Sequence, residues 1–360
     1  MPRNAFAEFG LSGEPGTTAF WATARGPVSV PGEDGGWRTL FLWRGSEARV
    51  VFESWSEPVP LRRWRDTDCW YAEVRMPRRL RVTYQFVADD IAHADPLNPC
   101  GAGGDRSVTA TPDVPAQPHW PALGPDDVLP LPRTRIRWTS ERLGGRRTVR
   151  VHPVGGGGPL ILLLDGDDWL HLHPAMTAFE TALAQGDSPP VTLVFLPARD
   201  RESEFACRPE LWHAVRDELL PLVAESGVPA APERLVAAGQ SLGGLSALYA
   251  ALDFPDLVSR VACQSGSFWW TPDALERADP LGGPVGGALA ARLRERADLS
   301  GLRIAFDVGE HETRMLPHCA LIESLTERAG ATVRVSRSPS GHDRAGWRQA
   351  LLRDVVWALG

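Results

Sequence analysis

Ser241 stands in the run Gly239, Gln240, Ser241, Leu242, Gly243, a G-x-S-x-G pattern. A serine with small residues two positions away on either side can occupy a sharp strand-to-helix turn, because that turn is strained and the helix must pack close to the strand. The residues before it, Leu235 to Ala238, are small and apolar without alternation, as in a strand buried on both faces, and those after it favour a helix. Strand, serine and helix fall in the order of a nucleophile elbow. Such a serine needs a base to take its proton and a carboxylate to orient the base, in the chain order serine, acid, histidine.

Both partners have candidates. The final strand-like segment, "ATVRVSRSPSGHDRAGW", ends in a turn carrying His342. Of the nine histidines, His311 and His318 also come late, but His311 falls in the turn expected to hold the acid and His318 inside a helix. The preceding strand, "LRIAFDVGEHETRM", offers Asp307, Glu310 and Glu312. Asp307 falls within the strand. Glu312 is the first candidate, because a G-x-x-E turn from Gly309 carries its carboxylate off the strand end toward an imidazole, and Glu310 is the second. The oxyanion of an acyl-transfer intermediate needs two backbone N–H donors. Leu242, after the nucleophile, supplies one, and Asp167 in "LLLDGDDW", where Gly166 ends a buried strand, supplies the other. Asp165, Asp167 and Asp168 also resemble a cation site, yet no histidine or further carboxylate cluster completes a ligand set, so neither metal nor cofactor is expected.

The elements that must hold these groups divide at a proline-rich stretch, "TPDVPAQPHWPALGPDDVLPLP". After it, "GPLILLLDG", "VTLVFLPA", "RLVAAG", "SRVACQSG" and "LRIAFDVGE" are nearly continuous apolar runs separated by helical patterns. One of these patterns, "PELWHAVRDELLPLVAES", puts Leu211, Val215, Leu219, Leu220 and Val223 on one face. Strands alternating with helices predict a parallel sheet covered on both sides, an α/β domain of the α/β-hydrolase type over residues 133–360. Before the stretch, "RTLFLWRG", "ARVVFES", "CWYAEVRM" and "RVTYQFVAD" are rich in β-branched and aromatic residues and predict an all-β sandwich over residues 1–112, with 113–132 as linker. Every triad candidate lies after the linker.

The 360 residues carry a net charge of −7, and their basic residues are all arginine. That balance disfavours nucleic acid as a partner. Five scattered cysteines without a C-x-x-C pair read as reduced thiols rather than a disulfide framework or zinc site. With no export signal or membrane-length apolar run, the expectation is a cytoplasmic protein that meets neither membrane nor nucleic acid and acts on a small molecule. Oligomeric state is left open.

Taken together these segments resemble the enterochelin esterase family, cytoplasmic enzymes that hydrolyse the trilactone of catecholate siderophores and so release iron. The resemblance rests on "FLWRG", "DTDCWYAEVRMPRRLRVTYQF" and "HADPLNP" in the first part, and on "LLDGDDW", "RESEFACRPELWHAVRDELLPL", "GQSLGGLSAL", "QSGSFWW", "GEHETRM" and "GHDRAGWRQAL" in the second. It implies an early-set, immunoglobulin-like sandwich before the hydrolase. It also implies Ser241 as nucleophile, His342 as base, Glu312 as third member, and the Asp167 and Leu242 N–H groups as oxyanion hole. Arg201 and Glu204 are implied to border the substrate pocket, with Phe268, Trp269 and Trp270 offering a surface on which a flat aromatic acyl group stacks. The alternatives are a feruloyl- or acetyl-xylan-type carbohydrate esterase, an acyltransferase on the same fold, and a non-catalytic scaffold.

Overall fold

The computed structural model describes residues 5–123, 127–296 and 298–360; positions 124–126 of the expected linker lie outside them. The chain forms two compact units that are not contiguous in sequence. The first comprises Met1–Gln117, Ala122–Val128 and Pro339–Gly346, and the second Pro118–Pro121, Leu129–Ser338 and Trp347–Gly360.

The second unit is built on an eight-stranded sheet. Its order across the sheet is Thr134–Thr139, Arg146–Val154, Val191–Leu196, Gly158–Leu164, Ala230–Gln240, Arg260–Gln264, Arg303–Gly309 and Thr332–Ser338. The two strands at the first edge run antiparallel to their neighbours, and the remaining pairs are parallel. Leu160, Leu162 and Leu164 enter one buried cluster while Ile161 and Leu163 enter another on the opposite face. Two-sided burial is why these strands read as unbroken apolar runs. The helical pattern at residues 209–225 forms with Leu211, Val215, Leu219 and Val223 buried, but it widens into a π turn over Val215–Leu219. Pro221, which has no N–H to give the preceding turn, lies immediately beyond that widening.

The first unit pairs a four-stranded and a five-stranded sheet. Within strand Trp37–Arg44, Phe41 packs in the cluster with Val50, Tyr84 and Phe86, whereas Leu40 and Leu42 join Phe6, Phe9 and Phe20 from the N-terminal helical turns. The segment "HADPLNP" proves to be a buried polar knot. Tyr84 Oη donates to Asp95 Oδ2 at 2.6 Å, the Leu97 N–H donates to Asp95 Oδ1 at 2.8 Å, and Asn98 Nδ2 donates to Tyr84 Oη at 3.0 Å.

Burial pushes the Asp95 carboxyl up to about 6 despite the donors from Tyr84 and Leu97. Below pH ~4 this group is protonated in folded and unfolded chains alike. Between about 4 and 6 only the unfolded chain ionises it, so the stability it contributes at low pH is lost as pH rises through its folded pKa, on the order of 3 kcal/mol. Urea midpoints should therefore fall further between about pH 4.5 and pH 7 in the wild type than in Asp95→Asn; parallel falls would show that Asp95 contributes nothing.

Candidate active site

Strand Ala230–Gln240 delivers Ser241 to the end of the sheet, and helix Leu242–Asp253 begins at once. Ser241 has φ 54° and ψ −119°, a left-handed conformation that a non-glycine residue rarely adopts. Neighbouring backbone holds it there: the Ser241 N–H donates to the Gln264 carbonyl at 3.0 Å, and the Ser267 N–H donates to the Ser241 carbonyl at 2.9 Å. A Cβ on Gly239 would stand 2.3 Å from the Gly243 carbonyl carbon, so only glycine lets the helix start this close to the strand. Beneath the serine runs a buried amide relay. Trp169 Nε1 donates to Gln240, Gln240 to Gln264, and Gln264 to Asp354. Arg353 pairs with both Asp354 and Asp307 at 2.9 Å, and burial raises the pKa of each carboxyl. These bonds tie the tips of two adjacent strands together and hold the elbow in place.

Ser241 is half-buried, with its Oγ 3.1 Å from Ser267 Oγ. It opens into a cleft of about 730 Å³ whose walls include Leu242, Arg199, Arg201, Trp269 and Trp270. Leu242 is the first residue of its helix, where backbone N–H groups have no intrahelical acceptor. On the neighbouring strand, Asp165 at φ 54° turns the chain into the short helix Gly166–His171, with Asp167 in its first turn. This loop lies beside the elbow, since the Asp165 carboxylate is 3.5 Å from where a Gly243 Cβ would sit. Burial raises the Asp167 carboxyl above its ordinary pKa.

The G-x-x-E turn forms as its spacing predicts. The Glu312 N–H donates to the Gly309 carbonyl at 3.1 Å, and the Gly309 N–H donates to Glu312 Oε1 at 2.8 Å. Glu312 is 6% exposed, and the same oxygen accepts a short hydrogen bond from Ser265 Oγ. Ser265 in turn accepts from Trp347 Nε1 at 2.8 Å. Ser265 and Trp347 therefore orient the carboxylate, a role that the segments "QSGSFWW" and "GHDRAGW" contain but that neither spacing discloses. Glu310 is half-buried, and its N–H donates to the Ser338 carbonyl at 2.8 Å. His342 follows Ser338 in the segment Pro339–Gly346, which belongs by its contacts to the first unit. His318 sits in helix Leu316–Arg328, 3% exposed, with Nδ1 accepting the Gly286 N–H.

Two expected pocket residues are placed elsewhere. Glu204 is 5% exposed and is held bidentately by Arg147 at 2.7 and 3.1 Å, with the Arg147 guanidinium over the Trp138 ring. It is the buried half of an ion pair rather than part of the cleft wall. Phe268 is 1% exposed and meets the Phe306 ring edge-on, so it packs in the core while Trp269 and Trp270 remain at the cleft. Arg201 does line the cleft, but it is clamped to Asp165 at 2.6 and 2.8 Å, which offsets its charge. Arg199, unremarked in the sequence, donates to the Arg146 carbonyl and makes no ion pair among the described residues. Among the described residues no group of three or more His, Cys, Asp or Glu could hold a metal ion, and no helix is long and apolar enough to cross a membrane.

A largely parallel sheet, a strained serine between strand and helix, and a buried acid turn two strands further on define a hydrolase of the α/β class. The chain belongs to the family described as "Putative esterase", which it matches over residues 140–358, and it is a carboxylic ester hydrolase. Its resemblance to the enterochelin esterases extends over nearly the full length. It is 29% identical to the iron(III) enterobactin esterase of Escherichia coli O6:H1, covering 95% of this chain and 96% of that protein. The ferric enterobactin esterase of Salmonella typhimurium superposes with a TM-score of 0.82 at 28% identity, covering 95% of this chain and 98% of that one. The Shigella flexneri enterobactin esterase, crystallised in the presence of enterobactin, gives 0.80 at 27%, covering 95% and 97%.

Proposed function

We propose that this esterase hydrolyses the ester bonds of a catecholate siderophore, free or iron-loaded, in the cytoplasm. The observation that carries the reading is likeness across both units, rather than the hydrolase alone, to proteins named for enterobactin and its ferric complex. The free cysteines suit a reducing compartment.

Ser241 Oγ attacks the ester carbonyl and gives its proton to His342, whose tautomer Glu312 maintains. The N–H groups of Leu242 and Asp167 receive the developing oxyanion. As the tetrahedral intermediate collapses and the carbonyl re-forms, the bond to the leaving oxygen breaks and that oxygen takes the proton from His342. Water then attacks the acyl-enzyme by the same route in reverse and frees Ser241. Trp269 and Trp270 receive a flat catechol ring, and the charge of Arg199, which makes no ion pair among the described residues, suits the trianion of a ferric tris-catecholate.

Incubation with enterobactin, its ferric complex, the linear trimer and a feruloyl sugar, followed by mass spectrometry, tests the reading. Enterobactin and its ferric form should gain one water per cleaved ester, opening first to the linear trimer, with the feruloyl sugar cleaved at least about tenfold more slowly in kcat/KM. Faster cleavage of the feruloyl sugar would replace this reading with that of a carbohydrate esterase.

A further inference from the structure

We propose that Asp343 and Thr83 are positioning residues for His342, fixing the turn that carries the base. This rests on the base role given to His342 above. The segment Pro339–Gly346 is joined at both ends to elements of the second unit, yet its contacts assign it to the first. Its centre is Asp343, fully buried and next to His342 in sequence. The Asp343 carboxylate accepts from the Thr83 N–H at 2.8 Å, from Thr83 Oγ1 at 2.8 Å and from the Ala345 N–H at 2.7 Å. Further ties secure the flanks. The Arg81 N–H donates to the Pro339 carbonyl at 2.7 Å, Gln117 Nε2 donates to the Ala345 carbonyl at 2.7 Å, and Arg344 pairs with Glu53 at 2.7 Å.

A carboxylate taken out of water is strongly unfavourable unless donors surround it, so Asp343 holds its place only through these bonds. They fix the backbone beside His342 to strand Arg81–Ala88. A general base must lie within hydrogen-bond reach of its proton, and a displacement of about 1 Å can cost on the order of 100-fold in rate. A loop held at its midpoint by a sheet loses the freedom that would blur such a geometry. The competing account is that the carboxylate merely stabilises the first unit. The two differ in where a loss appears.

The test uses the full-length chain and p-nitrophenyl acetate, an ester that needs no extended binding surface. Thr83→Val removes one donor and keeps the shape. It should lower kcat about tenfold with KM within about twofold, while Thr83→Ser restores kcat to within about twofold of wild type. Asp343→Asn should lower kcat on the order of 100-fold. Rates are referred to the p-nitrophenol burst and the melting temperature is read in parallel; if Asp343→Asn does not fold, the Thr83 pair decides. Wild-type kcat in Thr83→Val, or a loss that tracks only the folded fraction, overturns the proposal. His342→Ala separates the two levels. If it retains activity, the base assignment fails and this inference with it; if it is inactive while Thr83→Val keeps full kcat, only the positioning role falls.

Discussion

Ser241→Ala is expected to lower kcat on ester substrates by on the order of 10⁶-fold while the melting temperature stays within a few degrees of wild type. In the proposed mechanism the hydroxyl is the attacking group, and its removal takes the nucleophile from the elbow. The turn does not depend on it. Ser241 is held at φ 54° through its own N–H and carbonyl and through the close approach that Gly239 permits, and alanine has the same Cβ and the same backbone constraints. Burst amplitude with a p-nitrophenyl ester, read beside the far-ultraviolet dichroism, checks both halves. Retention of a tenth of wild-type activity would end the serine-esterase mechanism. His342→Ala should lose a comparable factor, since nucleophile and base act as one unit.

Glu312→Gln is expected to lower kcat on the order of 10³-fold with little change in KM. Its amide oxygen can accept the bonds that Gly309 and Ser265 give to Oε1, so the turn persists, while an amide in place of the second carboxylate oxygen can no longer stabilise an imidazolium. Glu310→Gln should cost less than about tenfold, because the substitution leaves in place the Glu310 N–H that ties the strand end to the Ser338 carbonyl. Steady-state kinetics of the two variants side by side decide the assignment. A larger loss from Glu310→Gln would transfer the role of third member to that residue.

Much of this arrangement was legible along the chain because the governing constraints are local. Two-sided burial wrote itself into "GPLILLLDG" and "RLVAAG" as unbroken apolar runs, and alternate residues of those strands do face opposite cores. The elbow was legible because close packing at Gly239 excludes any side chain, and the G-x-x-E turn because both of its hydrogen bonds close within four residues. Where a chemical role depended on a distant partner, nearness in sequence misled. Glu204, three positions from Arg201, turns inward to Arg147, and Arg201 reaches back to Asp165, 36 residues earlier. Phe268 stands beside two cleft tryptophans in sequence but rotates into the core against Phe306. Ser265 and Trp347, which orient the Glu312 carboxylate, are separated by 82 residues.

The sequence by itself determined the hydrolase sheet, the serine elbow, the acid turn and the order of the candidate triad, since each follows from the period of apolar residues or from the fit of one glycine. Only the tertiary structure decided that a segment far beyond the linker belongs with the sandwich. That grouping depends on Asp343 meeting Thr83 across 260 residues. A buried carboxylate must find its donors wherever the fold brings them, and no pattern of neighbouring residues encodes which strand will supply them.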